Sequence, residues 1–320
     1  MPRIQNLIIF STLLSFSLQA MAISIPSEDV MAWRNQGQFF QYESHRIFYR
    51  DSQTAVTNAD KPTVVLLHGF PTSSWDWHKL WGDLQNDYRL ITLDFLGFGF
   101  SDKPRIDYSI SNQADLVEQL LAHLAIKQAH LLVHDYGTYV SQELVARQQD
   151  ATLPDRDFRI QSLVMLNGVV APERLQLRPI QKALNSPFGW IVSLFVSEQR
   201  FSKNFSTVFG DKTQPSELSL QDYWYLITRN KGHRISHKLI HYYDESLTNS
   251  TRWVEALHST DIPVMLITGL ADPVAGAPMV EKFSEILPTQ PVHVLPDIGH
   301  YPHLEDDISV AKYYRRFINP

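Results

Sequence analysis

The sequence predicts an α/β fold: a mostly parallel sheet with helices on both faces and a helical lid inserted after the sixth strand. Three observations predict it. Short runs of leucine and β-branched residues recur from near residue 40. Segments of helical spacing separate them. The alternation stops between Leu166 and Ile262 and then resumes.

Phe39–Tyr42 and Arg46–Arg50 read as an opening hairpin. Thr63–Leu67 (TVVLL), Arg89–Phe95 (RLITLDF) and His130–His134 (HLLVH) have the pattern of strands buried on both faces. Between the last two, residues 112–125 have helical spacing, with Ala114, Val117, Leu121 and Leu124 on one face. Arg159–Leu166, Pro263–Thr268 and Pro291–Leu295 continue the strand series, and residues 309–317 read as the last helix. The stretch 171–258, broken by Pro172, Pro179, Pro187 and Pro215, is expected to be the lid, over the strand C-termini where open sheets bind ligands. Residues 33–170 and 259–320 are then the core.

The chain is 320 residues long with a net charge of −6, which argues against nucleic acid as a main partner. The lid holds eleven Lys/Arg against eight Asp/Glu, so its balance is +3 and the rest carries −9. Solvated helix faces account for this, and so does docking on an anionic surface. There is no cysteine, which excludes disulfides, thiolate metal sites and thiol nucleophiles. Residues 1–22 carry Arg3, an apolar run from Leu7 to Leu18, and Ala20-Met21-Ala22. This is the pattern of a cleaved signal peptide, with a retained membrane anchor as the alternative. A periplasmic or secreted protein is expected, with membrane association through the N-terminus if the segment stays. The oligomeric state is open.

Asp135 lies in LVHDYG, where a strand ends and a helix opens. A sharp turn there exposes one side chain above the sheet, and Gly137 is the small residue such a turn needs; Val133 stands where a second glycine is usual. Asp135 reads equally well as a helix N-cap. Three other segments favour a nucleophile. His68-Gly69-Phe70-Pro71 follows a buried strand and can offer the Phe70 N–H to an oxyanion, beside the N–H of Tyr136. Asp272, in GLADP, follows the strand after the lid and can orient a histidine. His300 follows Gly299 after the last strand. The order nucleophile, acid, histidine completes a triad. No G-x-S-x-G occurs, so a serine nucleophile has no candidate. His303 is a rival base. Gly97-x-Gly99 lacks a third glycine, and no metal cluster is evident, so no cofactor is expected.

HGFPTSSWDW (68–77), DFLGFGFSDKP (94–104), HDYG, GLADP and GHYPHLEDD (299–307) together resemble the epoxide hydrolase and haloalkane dehalogenase branch of the α/β hydrolases, over nearly the whole chain after residue 33. The resemblance implies that Asp135 forms a covalent alkyl ester, which a water activated by His300 hydrolyses while Asp272 holds the imidazole. The substrate is then a small apolar molecule. The dehalogenases commonly have Trp after the nucleophile and often Asn after His-Gly; this chain has Tyr136 and Phe70. Epoxide hydrolases use lid tyrosines as acids, and Tyr242 and Tyr243 stand in a similar place, with Tyr223 and Tyr225 as looser candidates. Epoxide hydrolysis is therefore the first expectation. Haloalkane dehalogenation and a non-catalytic ligand receptor are the alternatives, and hydrolysis of an ester or lactone ranks lower.

Overall fold

The computed structural model describes residues 25–53, 61–153 and 158–319; the expected signal or anchor segment lies outside the described residues. The elements in order are α1 (Glu28–Asn35), β1 (Gln38–Tyr42), β2 (His45–Asp51), β3 (Thr63–Leu67), α2 (His78–Leu84), β4 (Arg89–Leu93), α3 (Ile110–His123), β5 (Gln128–His134), α4 (Tyr136–Gln149) and β6 (Arg159–Leu166). Then come the lid helices α5 (Pro179–Leu184), α6 (Gly189–Leu194), α7 (Glu198–Ser206), α8 (Glu217–Thr228), α9 (Ser236–Leu239) and α10 (Tyr242–Ser259). The chain closes with β7 (Val264–Gly269), α11 (Gly276–Ile286), β8 (Val292–Leu295), α12 (Pro302–Glu305) and α13 (Asp307–Ile318).

The eight strands form one sheet in the order β1-β2-β4-β3-β5-β6-β7-β8. β1 and β2 pair antiparallel, as do β2 and β4; the other pairs are parallel. Successive residues of the central strands face opposite layers. Val65, Leu67, Leu131 and Val133 join a core with α3, α4 and α11, while Val64, Leu66 and Leu132 join one with α1, α2 and α13. Burial on both faces is why these strands read as unbroken apolar runs.

The chain lays β4 on one side of β3 and β5 on the other, so the order reverses between β3 and β5. The loops leaving these strands diverge there and open a crevice. Leu67 pairs with Val133, so the loop starting at His68 and the turn at Asp135 lie side by side.

Boundary shifts have local causes. β4 ends at Leu93, before the expected Phe95, because the Asp94 carboxylate accepts from the Ser74 and Phe100 amides and holds the chain in a turn. The helix expected over 112–125 begins at Ile110, where the Ser109 side chain caps it by accepting from Asn112 N–H. The last helix starts two residues early because Asp306 caps it in the same way.

The lid is tied down at its base by carboxylates. Glu143 on α4 accepts from Trp253 Nε1 at 2.8 Å and pairs with Arg252, both on α10. Glu245 on α10 accepts from the Ile110 N–H at the start of α3. Asp222 on α8 takes both the N–H and the hydroxyl of Ser27.

Close approach of α4 to β3 depends on Gly137. A Cβ there would lie 2.5 Å from the Leu67 carbonyl oxygen, backbone against backbone. Gly137→Ala is expected to cost about 1–3 kcal/mol, as overpacking does, read as a lower denaturation midpoint. Gly82, exposed inside α2 with nothing within 4 Å of its would-be Cβ, supplies the contrast. Gly82→Ala is expected to gain up to about 1 kcal/mol from helix propensity. Equal responses of the two variants would refute the tight α4–β3 contact.

Candidate active site

Asp135 is buried at the end of β5 with φ 44° and ψ −107°, a backbone conformation that L residues avoid. The turn is held by Gly137 N–H donating to His68 O and Thr138 N–H to Asp135 O. The Asp135 side chain makes no capping bond to α4, so it does not act as an ordinary N-cap. Its Oδ1 accepts instead from the Phe70 N–H at 2.8 Å. Tyr136 opens α4, and its N–H belongs to the first turn, which has no acceptor within the helix. Phe70 thus brings its amide to the carboxylate from the end of β3.

His300 bridges two carboxylates. Its Nδ1 lies 2.8 Å from Asp272 Oδ2, and its Nε2 lies 3.5 Å from Asp135 Oδ2. All three groups are buried. Burial opposes the charged form of His300, but Asp272 and Asp135 outweigh it and push its pKa up to about 10. Burial likewise opposes ionisation of Asp135 and Asp272, and the bonds to His300 overcome it, so both carboxyls sit below their ordinary value. The arrangement is an ionised carboxylate with one oxygen clamped and the other beside an imidazole. It can attack an electrophilic carbon, and the imidazole can later accept a proton from water.

Two residues not singled out by sequence reading hold this set. Asn167, at the end of β6 with φ 41°, donates from Nδ2 to Asp272 Oδ2 at 2.6 Å and accepts from Gly269 N–H through Oδ1. The Asn-Gly pair after a strand was the available signal. Glu305 accepts from the N–H groups of Gly299 and Tyr301, which flank His300, and from Gly210 N–H and the Thr213 hydroxyl on the lid. It lies inside GHYPHLEDD.

A cavity of about 550 Å³ opens over Asp135 and His300, walled largely by apolar side chains including Phe70, Leu184, Val192, Phe201 and Val274. Its polar wall groups include Arg178, Gln181, Arg200 and Asn204, all from the lid. Neither Tyr242 nor Tyr243 is on this wall. Tyr242 is buried behind it, its ring 5.7 Å from Phe70 and 5.1 Å from Tyr136, and burial followed by the charge of Asp135 keeps its hydroxyl protonated. Tyr243 packs half-buried on the core, Tyr223 lies buried against Phe205, and Tyr225 is half-buried. Tyr136 does not line the cavity either; its ring packs on Phe95 and Phe98. Helical spacing does not reveal which of two adjacent tyrosines turns inward.

His303 is fully buried against Trp77 and His134, away from the cavity wall. With Asp76 and His134 it forms the one group among the described residues whose ligand atoms, within 4.8 Å of one another, could hold a cation. Burial raises Asp76 and lowers both histidines, which favours three neutral groups at neutral pH.

The charges of the triad couple stability to pH. The His300 shift contributes stability that is full below about 6.5 and lost as pH rises through about 10. The depressed carboxylates contribute stability present above 3.8 and lost as pH falls below it. The melting temperature should therefore decline between neutral and alkaline pH, and His300→Gln should flatten that decline. Parallel alkaline slopes in a differential scanning fluorimetry series would refute the charged triad.

A family model described as the alpha/beta hydrolase fold matches residues 62–307. The chain is 41% identical to the mesoderm-specific transcript protein of Mus musculus, over 96% of this chain and 94% of that one. It is 28% identical to a haloalkane dehalogenase of Mycolicibacterium paratuberculosis, over 68% of this chain and 70% of that one. The crystal structure of a haloalkane dehalogenase from Bradyrhizobium elkani, 20% identical, superposes with a TM-score of 0.74 over 88% of this chain and 97% of that one. With its sheet order, its strained turn after β5 and its matched sequence, the chain belongs to the α/β-hydrolase-fold family.

Proposed function

We propose that the protein hydrolyses an apolar epoxide through an ester formed on Asp135. The observation that carries this reading is the division between the two carboxylate oxygens. Oδ1 is held by the Phe70 N–H, while Oδ2 faces His300 Nε2 beneath the cavity.

In the first step Oδ2 attacks a ring carbon and the carbon–oxygen bond of the epoxide breaks. The alkoxide takes a proton from a water in the cavity, since Tyr242 lies behind the wall. Alkylation neutralises Asp135, so one of the two charges that hold His300 high disappears, and the imidazolium gives its Nε2 proton to the hydroxide left by that water, which makes the imidazole available as a base. His300 then takes a proton from a water whose oxygen attacks Asp135 Cγ. The tetrahedral oxyanion, on the oxygen that was Oδ1, accepts from the Phe70 and Tyr136 amides. The bond from Cγ to the alkyl oxygen breaks, one proton of the attacking water ends on the diol and the other on His300, and the triad returns to its starting charge.

Relatives named as haloalkane dehalogenases favour a second reading, displacement of halide by the same carboxylate. Against it, among the described residues the cavity wall carries no tryptophan. Where the resemblance would put halide donors stand Phe70 and the core-packed ring of Tyr136.

The test is intact-protein mass spectrometry of His300→Gln with a panel of epoxides and haloalkanes, since loss of the base traps the ester. A gain equal to the whole epoxide, mapped to the Asp135 peptide, is expected. A gain of the alkyl group alone assigns dehalogenation. No adduct with any compound, with a wild type that turns nothing over, would overturn the carboxylate-nucleophile reading in favour of a receptor on the same fold.

A further inference from the structure

The outer face of the lid exposes large apolar side chains on consecutive turns. Phe188 is 67% exposed, Trp190 53%, Leu194 50% and Phe195 66%. All lie on α6 or next to it, in a stretch, 183–197, that holds no charged residue. Soluble chains scatter exposed apolar residues singly; a contiguous group with aromatic members marks an interaction surface.

Along the chain the charges flanking this group are nearly all of one sign, and Asp244, which accepts from Asn185 Nδ2, is an acid that meets the stretch from α10. From 174 to 210 the sequence has five Lys/Arg and one acid, Glu198, a balance of +4 that leaves −10 on the rest of the chain. Lys182, Arg200 and Lys203 are exposed beside the patch. Arg200 donates to the Phe195 carbonyl and Arg178 to the Thr207 hydroxyl, so neither contact is with a carboxylate. A second copy meeting this surface face to face would set five cations against five. An anionic lipid surface meets both features at once: the aromatic and leucine side chains reach the boundary between headgroups and acyl chains, and the cations meet the phosphates.

The same segment also lines the cavity, through Ile191, Val192, Phe195 and Val196. We propose that the α6 face of the lid docks on an anionic bilayer and that the cavity takes its apolar substrate from the lipid phase. The choice of substrate source rests on the hydrolase reading above; the docking does not.

Absence of cysteine allows a test on the full chain. Phe188→Cys carries a polarity-sensitive fluorophore as the one thiol adduct, and Ile308→Cys, 78% exposed on α13, is the control. Both sites are exposed and outside the cavity wall, so folding is little disturbed. With vesicles of phosphatidylcholine and phosphatidylglycerol, the label at 188 should shift to the blue while that at 308 does not. The response should fall several-fold with phosphatidylcholine alone, and with Lys182→Glu combined with Lys203→Glu. Equal responses at 188 and 308, or none, overturn the proposal. A blue shift that grows with protein concentration without vesicles overturns it too, and assigns the face to a second copy. The fluorophore reports docking without turnover, so this result stands apart from the adduct experiment.

Discussion

A carboxylate kept ionised out of water must be solvated by the protein, and the architecture around Asp135 follows from that constraint. Each replacement for water comes from a different strand end. The loop after β3 gives the Phe70 amide, and the loop after β8 gives His300. The loop after β7 gives Asp272, which keeps the imidazole charged, and the end of β6 gives Asn167, which holds Asp272. Parallel strands with neighbouring C-termini are the arrangement that lets four loops converge on one turn. The positive φ at Asp135 aims the carboxylate at these groups instead of at the first turn of α4.

For the reaction proposed above, the ion set is also what makes two steps workable. Two carboxylates flank one imidazolium, so the cluster carries a net single negative charge while Asp135 is free. In that state His300 is a poor base, and nothing is lost, because a carboxylate needs no base to attack carbon. In the proposed reaction, once Asp135 is an ester the balance changes, and the imidazole is released for water at the point where water is needed. A serine in the same turn would require the base in the opposite order. The Asp272–Asn167 pair stays intact throughout, so the orientation of the ring does not depend on the charge that comes and goes.

The parts legible in the sequence are those governed by local pattern. Strands such as Thr63–Leu67 and Arg159–Leu166 match the expected spans residue for residue, because their apolar parts, Val64 to Leu67 and Leu163 to Leu166, are buried on both faces. The motif residues Phe70, Asp135, Asp272 and His300 meet because each sits at a strand end, and strand ends on one side of a parallel sheet are neighbours. What stayed hidden depends on long-range placement. Asn167 reads as a turn residue until Asp272 is brought beside it. Glu305 reads as a surface acid until four donors from two regions converge on its side chain. The lid tyrosines were located by analogy of position, and the packing of α10 on α4 turns Tyr242 behind the cavity wall instead of into it.

The lid meets the core through apolar side chains such as Trp253 and Phe205 and through a set of carboxylates, and its α6 end is apolar on the outside. Glu143, Asp222, Glu245 and Glu305 each reach across the boundary between lid and core to a backbone amide, an indole or an arginine. Such bonds are directional, so they set the height of the lid over Asp135 where apolar contact alone would let it slide. Glu305 goes furthest, since its carboxylate holds the His300 loop and the Gly210–Thr213 turn together. Displacing that turn would disturb the base before it disturbed the cavity wall. The α6 end has no carboxylate of this kind in its uncharged stretch, and it presents aromatic rings to the exterior. Rigidity is thus concentrated near the reacting atoms, and the outer rim is left with the chemistry of an interface.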